Sequence, residues 1–264
     1  MIHNTAIIHP SARISKNVEI GPYAVIGENT VIGSGTKVGS HALIECAEIG
    51  DNCVIFSHAA VGTAPQDLKY KNEPTKIIIG PNCSIREFTT LNRGTAASGK
   101  TVIGSDCLFM AYSHVAHDCR IGNGVIFANA ATLGGHVEVG DGAVIGGIVA
   151  IHQFTRIGRL AMLAGGAMVS QDVIPFTQVH GNRAKLTGLN LVGIRRNPAL
   201  KEALEDIKAA YRILFLSGIP MQEALDQLEA SNPRPEVKEM IDFIHTSKRG
   251  FCRPDRKENS TEEL

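Results

Sequence analysis

An apolar residue recurs at every sixth position over most of the first two thirds of this chain. The longest uninterrupted series has twelve members, which are Ile103, Phe109, Val115, Ile121, Phe127, Leu133, Val139, Ile145, Ile151, Ile157, Leu163 and Val169. A period of six matches neither the repeat of an α-helix nor the alternation of a plain β-strand. It predicts a short strand followed by a corner, with the apolar side chain directed into the core and Gly or Asn at the turn.

Three such units predict a triangular coil of 18 residues, and successive coils would stack as parallel strands. From Ile14 to Val169 the chain has room for about nine coils. The predicted fold class is therefore mainly β, a parallel β-helix. An ordinary β-sandwich is disfavoured, because it would show alternating strands with turn signals every ~8–12 residues.

The repeat ends at Val169, and helical spacing takes over beyond it. Apolar periodicity, with a proline near each start, predicts three helices, at 198–217, 220–230 and 235–246. We therefore expect the β-helix over residues 1–190 and a small C-terminal α-helical domain over residues 191–264.

Two segments interrupt the repeat, near residues 62–78 and 92–102. The first contains the run QDLKYKNEP, which has charges of both signs where a coil would need apolar residues. Departures from a repeat are where function is expected. We therefore predict that the first segment projects from the column as a functional loop.

Charge and cysteine usage limit the partners and the compartment. The chain carries 26 basic and 26 acidic residues, so no overall field attracts nucleic acid. The N-terminus lacks a signal peptide, and no apolar stretch is long enough for a transmembrane segment. The six cysteines form no CxxC pair, which predicts free thiols in a reducing compartment. We expect a cytoplasmic protein.

The polar run SHVAHDC interrupts the apolar composition of the longest series. In it, His114 and His117 flank an inward-facing Val115, and Asp118 follows. Stacking at 18 residues places three polar groups on one edge of successive coils, which are His117, Gly135 with His136, and Gln153 with His152. Such a row suits an elongated substrate.

The residue types in this row favour direct acyl transfer. The chain has no GxSxG motif for a covalent acyl-enzyme. An imidazole can deprotonate a substrate hydroxyl, which then attacks a thioester. A backbone N–H of the Gly134–Gly135 pair would stabilise the oxyanion that forms.

Two alternatives of other classes stay open at this point. A zinc hydratase would hold its metal on His117, His136 and His152, as gamma-class carbonic anhydrases do on a similar solenoid with three histidines. This is unfavourable, because the three side chains would converge across about 10 Å of axis. A non-enzymatic scaffold would leave the histidine row and the QDLKY loop without a purpose.

Specific motifs then extend over nearly the whole chain. They are PQDLKY (65–70), IREFTTLNRGT (85–95), HVAHDC (114–119), GGHVEVGD (134–141), AIHQF (150–154) and SKRGF near the C-terminus. With these motifs the chain resembles the UDP-N-acetylglucosamine O-acyltransferases of lipid A biosynthesis, within the hexapeptide-repeat acyltransferases. The resemblance implies a left-handed β-helix, a homotrimer with active sites between subunits, and no cofactor. It also implies a 3-hydroxyacyl acyl-carrier-protein thioester as donor and the glucosamine 3-OH of UDP-N-acetylglucosamine as acceptor.

The resemblance also implies roles for individual residues. His117 would be the general base, Asp118 its neighbour and Gly135 the oxyanion donor. The substrate would be bound by Asp67, Lys69, His114, His136, His152 and Gln153, with Asn190 and Arg196 at the nucleotide end. No residue is expected to ligate a metal.

Two details follow from single positions. Gly165 matches the position where side-chain bulk limits the acyl chain, so glycine there favours a longer chain. Asn92 stands where relatives often have His, and Val192 and Asn197 replace residues that are often acidic and basic. An acceptor with a 3-amino group in place of the 3-hydroxyl therefore remains open.

Overall fold

Three parallel sheets form the sides of a triangular column in the computed structural model, which describes residues 1–255. Within those residues the sheets have nine, eight and ten strands. The strands in chain order are β1 (Ile7–Ile8), β2 (Arg13–Ile14), β3 (Glu19–Ile20), β4 (Val25–Ile26), β5 (Val31–Ile32), β6 (Lys37–Val38), β7 (Leu43–Ile44), β8 (Ala47–Ile49), β9 (Val54–Ile55), β10 (Ala60–Thr63), β11 (Lys76–Ile79), β12 (Ser84–Ile85), β13 (Thr90–Asn92), β14 (Lys100–Ile103), β15 (Leu108–Phe109), β16 (His114–Val115), β17 (Arg120–Ile121), β18 (Ile126–Phe127), β19 (Thr132–Leu133), β20 (Glu138–Val139), β21 (Val144–Ile145), β22 (Ala150–Ile151), β23 (Arg156–Ile157), β24 (Met162–Leu163), β25 (Met168–Val169), β26 (Thr177–His180) and β27 (Lys185–Leu189).

Strands that are three apart along the chain pair in parallel, so each coil adds one strand to each sheet. In the middle of the column, Val115 of β16 pairs with Leu133 of β19, and Leu133 pairs with Ile151 of β22. These pairs confirm that, in this uninterrupted part of the column, each residue stacks on the residue 18 positions later. A position on one coil therefore predicts the neighbours above and below it.

The interior is filled by the residues of the six-residue series. All twelve members of the longest series are 4% exposed or less, as predicted. The rings of Phe109 and Phe127 stack in this core, with their centroids 4.8 Å apart. Packing of these apolar side chains makes the column solid rather than hollow.

Both interruptions of the repeat are loops at the corner that follows the nine-stranded sheet. Residues 64–75, called the long loop below, join β10 to β11. Residues 93–99, called the short loop, join β13 to β14. The strands on either side keep their pairing, since Ile49, Ile79 and Ile103 remain stacked in one row.

The β-structure continues past Val169, which the repeat did not predict. Strand β26 pairs in parallel with β24, and β27 then returns antiparallel to β26. A change of direction breaks the six-residue spacing, so periodicity could not reveal β27.

The C-terminal part contains four α-helices among the described residues. They are α1 (Leu191–Arg196), α2 (Leu204–Phe215), α3 (Met221–Ala230) and α4 (Pro235–His245). The last two were predicted, but the helix expected over 198–217 is wrong in its first part. Asn197 accepts a hydrogen bond from Ala199 N and closes a single 3-10 turn, so α2 begins only at Leu204.

The class of secondary structure changes between Leu189 and Leu191. A division into two domains at that point stays a prediction, and residues 256–264 of the second domain lie outside the described part of the chain. No helix within residues 1–255 is long and apolar enough to cross a membrane. All six cysteines are free and buried.

We expect Phe109→Ala to lower the free energy of unfolding by about 3–5 kcal/mol, because it opens a cavity in a tightly packed core. Urea unfolding followed by circular dichroism measures this change. Leu68→Ala is the control, since Leu68 is fully exposed on the long loop. Equal losses in the two variants would contradict the packing described here.

Candidate active site

The run SHVAHDC lies at the corner where β16 ends and β17 begins. His117 Nδ1 lies 2.7 Å from Asp118 Oδ2. The Asp118 side chain is fully buried, whereas that of His117 is 14% exposed. An ionised carboxylate only accepts hydrogen bonds, so Nδ1 carries the proton and Nε2 keeps its lone pair. Asp118 therefore orients an imidazole whose basic nitrogen has no hydrogen-bond partner within residues 1–255.

Hydrogen bonds from the short loop also hold the Asp118 carboxylate. Thr95 N donates to Oδ1 at 3.0 Å, Thr95 Oγ1 donates to Oδ2 at 2.7 Å, and the Ser98 hydroxyl donates to Oδ1. Burial raises the pKa of this carboxyl, but the hydrogen bonds from Ser98, His117 and Thr95 outweigh it and lower the pKa to about 2. Asp118 is therefore ionised at neutral pH.

His136 lies one coil further along the same corner. Its Nε2 is 3.7 Å from Asp118 Oδ2, and its ring meets the His117 ring edge-on with centroids 5.2 Å apart. On its other side, Phe154 stacks on it at 4.5 Å. Asp118, His136 and Phe154 share left-handed backbone angles, with φ of 60°, 60° and 63°. The stacked corner thus gives the site a column of three outward-directed side chains.

Gly135 leaves the room that the His117 imidazole occupies. A Cβ built on Gly135 would lie 2.6 Å from His117 Cε1 and 2.7 Å from Nε2, closer than atoms can approach. The Gly135 N–H donates to no acceptor within residues 1–255. The glycine is therefore required for the position of the ring, and its N–H is available to a ligand beside the basic nitrogen.

His114 lies on β16, on the outer side of the same coil. Its Nδ1 is 2.7 Å from the hydroxyl of Thr90. Burial lowers the pKa of His114, and the neighbouring His117 lowers it further. His114 is thus a neutral imidazole beside His117, with its second nitrogen left for a ligand.

His152 and Gln153 lie on the next coil, where Gln153 stacks over the Gly134–Gly135 pair. His152 Nδ1 is 3.0 Å from the Gln153 carbonyl oxygen and 3.2 Å from Arg249 Nη2. Within the described residues His152 makes no hydrogen bond or ring contact with His117 or His136. These two side chains lie along the same edge but outside the central cluster.

The tip of the long loop carries the predicted substrate-binding residues Asp67 and Lys69. At the tip, Asp67 Oδ1 accepts a hydrogen bond from Lys69 N at 2.9 Å, and Leu68 between them is fully exposed. Arg93 ties the base of the loop to the column, because it donates to the Tyr70 hydroxyl at 2.9 Å and to Glu45 at 2.8 Å. Within residues 1–255 the tip side chains make no hydrogen bond to the cluster.

The predicted nucleotide end lies where the column meets the helices. The Asn190 side chain accepts from Gly193 N at 3.0 Å and donates to the Leu160 carbonyl at 2.8 Å. It is 8% exposed and caps α1, so its amide already has a structural role. Arg196 is exposed in the last turn of α1 and extends into solvent.

Gly165 lies at an exposed corner one coil beyond Gly147. A Cβ on Gly165 would have its nearest neighbour, Gly147 O, at 3.4 Å. The surface there would accept a larger side chain, and the role of Gly165 in acyl-chain length stays a prediction.

A metal ion would find one group of ligands among the described residues, formed by His117, Asp118 and His136. Asp118 takes the place that a three-histidine zinc site would give to His152. Both Asp118 oxygens already accept hydrogen bonds from the short loop, and His117 Nδ1 is engaged with Oδ2. A metal would have to displace these bonds, which makes the cluster a poor match for zinc.

Sequence reasoning missed three residues of the site. Phe154 follows from the 18-residue register, because it lies one coil beyond His136. Thr95 and Ser98 gave no such signal, since they belong to a loop that interrupts the register.

Comparison with known proteins decides the family. A curated relative from Campylobacter concisus, named acyl-(acyl-carrier-protein)–UDP-N-acetylglucosamine O-acyltransferase, is 51% identical over 205 residues, which cover 77% of this chain and 78% of the relative. The chain belongs to this family. It is an acyltransferase, as the sequence predicted.

Family models match three parts of the chain. The model described as UDP N-acetylglucosamine O-acyltransferase, domain 2, matches residues 172–252. The model described as bacterial transferase hexapeptide matches residues 100–135, and that of the GMPPB C-terminal domain matches residues 2–66. The hexapeptide match agrees with the six-residue series.

Solved structures agree over nearly the whole length of the chain. UDP-N-acetylglucosamine acyltransferase from Campylobacter jejuni superposes with a TM-score of 0.92 at 41% identity, covering 97% of this chain and 100% of its own. The Acinetobacter baumannii structure gives 0.91 at 42%, covering 96% and 99%. The predicted fold class is confirmed, a left-handed parallel β-helix followed by a small helical part.

We expect Gly135→Ala to abolish most of the acyltransferase activity of this protein and to lower its melting temperature only modestly. The three atoms nearest to the new methyl group all belong to the His117 ring, which can rotate into solvent at the cost of its hydrogen bond to Asp118. Gly158→Ala is the contrasting variant, because its Cβ would lie 2.3 Å from the Pro175 backbone nitrogen. That variant should lose stability and activity together. Full activity in Gly135→Ala would show that the position of the ring is unimportant.

The stabilising effect of Asp118 should depend on pH. Its pKa is about 2 in the folded protein and near 3.9 in an unfolded chain, so the stabilisation is full above pH ~4 and is lost as the pH falls through about 2. Urea midpoints of wild type and Asp118→Asn should therefore differ at pH 7 and converge only as the pH approaches about 2. A difference that stays constant with pH would contradict this assignment.

Proposed function

We propose that this acyltransferase transfers a 3-hydroxyacyl chain from the thioester of an acyl-carrier protein to the glucosamine 3-OH of UDP-N-acetylglucosamine, as the first step of lipid A biosynthesis. The names of its relatives support these two substrates. The observation that carries the chemistry is the His117–Asp118 pair, in which Asp118 holds Nδ1 and the ring packs against Gly135.

In the proposed reaction, His117 Nε2 accepts the proton of the 3-hydroxyl while the hydroxyl oxygen attacks the thioester carbonyl carbon. The carbonyl oxygen becomes an oxyanion, to which the Gly135 N–H donates a hydrogen bond. The intermediate then collapses, a new ester bond remains, and the carbon–sulfur bond breaks. The proton held by His117 passes to the departing sulfur. Asp118 stays ionised throughout and stabilises the imidazolium form of His117.

The remaining predicted residues are assigned to substrate binding on the same edge. His114, His136, His152 and Gln153 would line the groove, and Asn190 and Arg196 would lie toward the nucleotide. Because the Asn190 amide already caps α1, we expect it to keep these hydrogen bonds when the nucleotide binds. Its role would then be to hold the backbone at this end in place. Gly165 leaves space for a long acyl chain.

We also propose a homotrimer in which the long loop of one subunit completes the site of its neighbour. Asp67 and Lys69 are assigned to the substrate, yet the tip that carries them does not bond to the cluster of its own chain. A fully exposed Leu68 at this tip is suited to burial against a second subunit.

The proposed step needs no cofactor, because a thioester is already activated for acyl transfer. We place the reaction in the cytoplasm, where six free thiols are the expected state of cysteine.

The test is acyl transfer from a panel of 3-hydroxyacyl acyl-carrier proteins to UDP-N-acetylglucosamine. We expect wild type to transfer and His117→Ala to be slower by roughly 10²–10⁴-fold, the usual effect of losing a general base. His9→Ala is the matched control, since His9 is exposed near the N-terminus and its side chain hydrogen-bonds only to Ser11 within residues 1–255.

Two outcomes would redirect the assignment. If only an acceptor with a 3-amino group is acylated, the acceptor is wrong and the chemistry is retained. If wild type is inert with every donor and acceptor, the proposed reaction fails, and stoichiometric zinc would then favour the metal-dependent alternative.

A further inference from the structure

The short loop is not used by the proposed reaction, yet it covers the buried side of Asp118. Thr95 contributes its backbone N–H and its hydroxyl, and Ser98 contributes its hydroxyl. The Ser98 hydroxyl also lies 2.8 Å from the Lys100 carbonyl oxygen. Because a charged acceptor binds a single proton more strongly than a carbonyl does, we assign that proton to the carboxylate.

These donors leave the carboxylate a single orientation. A carboxylate has about four lone-pair sites, and the short loop occupies three of them in this structure. The remaining site points at His117 Nδ1, 2.7 Å away. The fully buried side chain has no water to replace a lost donor.

The orientation of the Asp118 carboxylate matters because a second imidazole, that of His136, lies near the oxygen that binds His117. His136 Nε2 lies 3.7 Å from Asp118 Oδ2, the oxygen that binds His117. A small rotation of the carboxylate would move this oxygen from one imidazole toward the other. The Thr95 hydroxyl donates to that same oxygen and therefore resists the rotation.

We propose that Thr95 and Ser98 are positioning residues, which hold the Asp118 carboxylate ionised and aimed at His117 so that Nε2 of His117 remains the base. This inference rests on the proposed role of His117. Neither residue touches the substrate in this scheme, so both act through Asp118.

The experiment compares Thr95→Val, Ser98→Ala and the double variant with wild type in the intact protein. We expect kcat to fall about tenfold for each single variant, the size of one lost hydrogen bond to a charged group. KM for the acceptor should stay within about twofold, because binding contacts are untouched. Thr95→Ser should restore kcat, since it returns the hydroxyl.

The pH profile separates this role from simple support of the fold. A carboxylate that can turn toward His136 stabilises the imidazolium form of His117 less strongly. The acid limb of kcat/KM should therefore move to lower pH in Thr95→Val and Ser98→Ala. The controls are Thr187→Val and Ser105→Ala, whose hydroxyls bond to Gln178 and Asn123 and not to Asp118.

A double-mutant cycle distinguishes failure of this inference from failure of the proposed function. In a His117→Ala background, Thr95→Val should cause little further loss, because both changes act through one pair. If His117→Ala retains wild-type activity, the proposed base is wrong. If His117→Ala is inactive while Thr95→Val and Ser98→Ala keep wild-type kcat and acid limb, only the positioning role is overturned. Additive losses in the cycle would also overturn it.

Discussion

The parallel hydrogen bonds between successive coils are the constraint on which the rest of this structure depends. Each coil donates to the next, as from His114 N to Ala131 O at 2.9 Å and from Gly134 N to Ile151 O at 2.9 Å. These bonds fix a residue above the one 18 positions later, so apolar positions stay inside and corner residues stay outside. Extra chain can enter only at a corner, where it leaves the pairing intact.

The site occupies the one corner from which both loops leave. Stacking there gives Asp118, His136 and Phe154 the same left-handed backbone angles and aligns their side chains along one edge. Position 135 on this corner must be glycine, because any larger residue would collide with the His117 ring. The short loop then folds back over Asp118, which a bare coil would leave in contact with water. The scaffold thus supplies the His117–Asp118 pair, and the insertion supplies the hydrogen bonds that hold Asp118.

Much of this site could be predicted because register carries information along the column. The placement of Gly135 near His117, and of His136 beside it, follows from adding 18 to a residue number. The same addition to His136 reaches Phe154, which shows that the rule was general enough to find it. The 18-residue rule did not find Thr95 and Ser98, because their loop is not part of a stacked strand. The positions of their side chains depend on how the loop folds over the coil.

The sequence by itself determined the column, its inward-facing residues, the sites of the two insertions and the histidine edge, since all of these follow from a local period. It also determined the family, through motifs spread over the whole chain. Only the tertiary structure decided that Asp118 is buried beneath Thr95 and Ser98, that His152 contacts Arg249, and that Asn190 caps a helix. Those contacts join residues whose separations along the sequence follow no common period. They form only when the loops and helices pack against the column, so no repeat in the sequence could predict them.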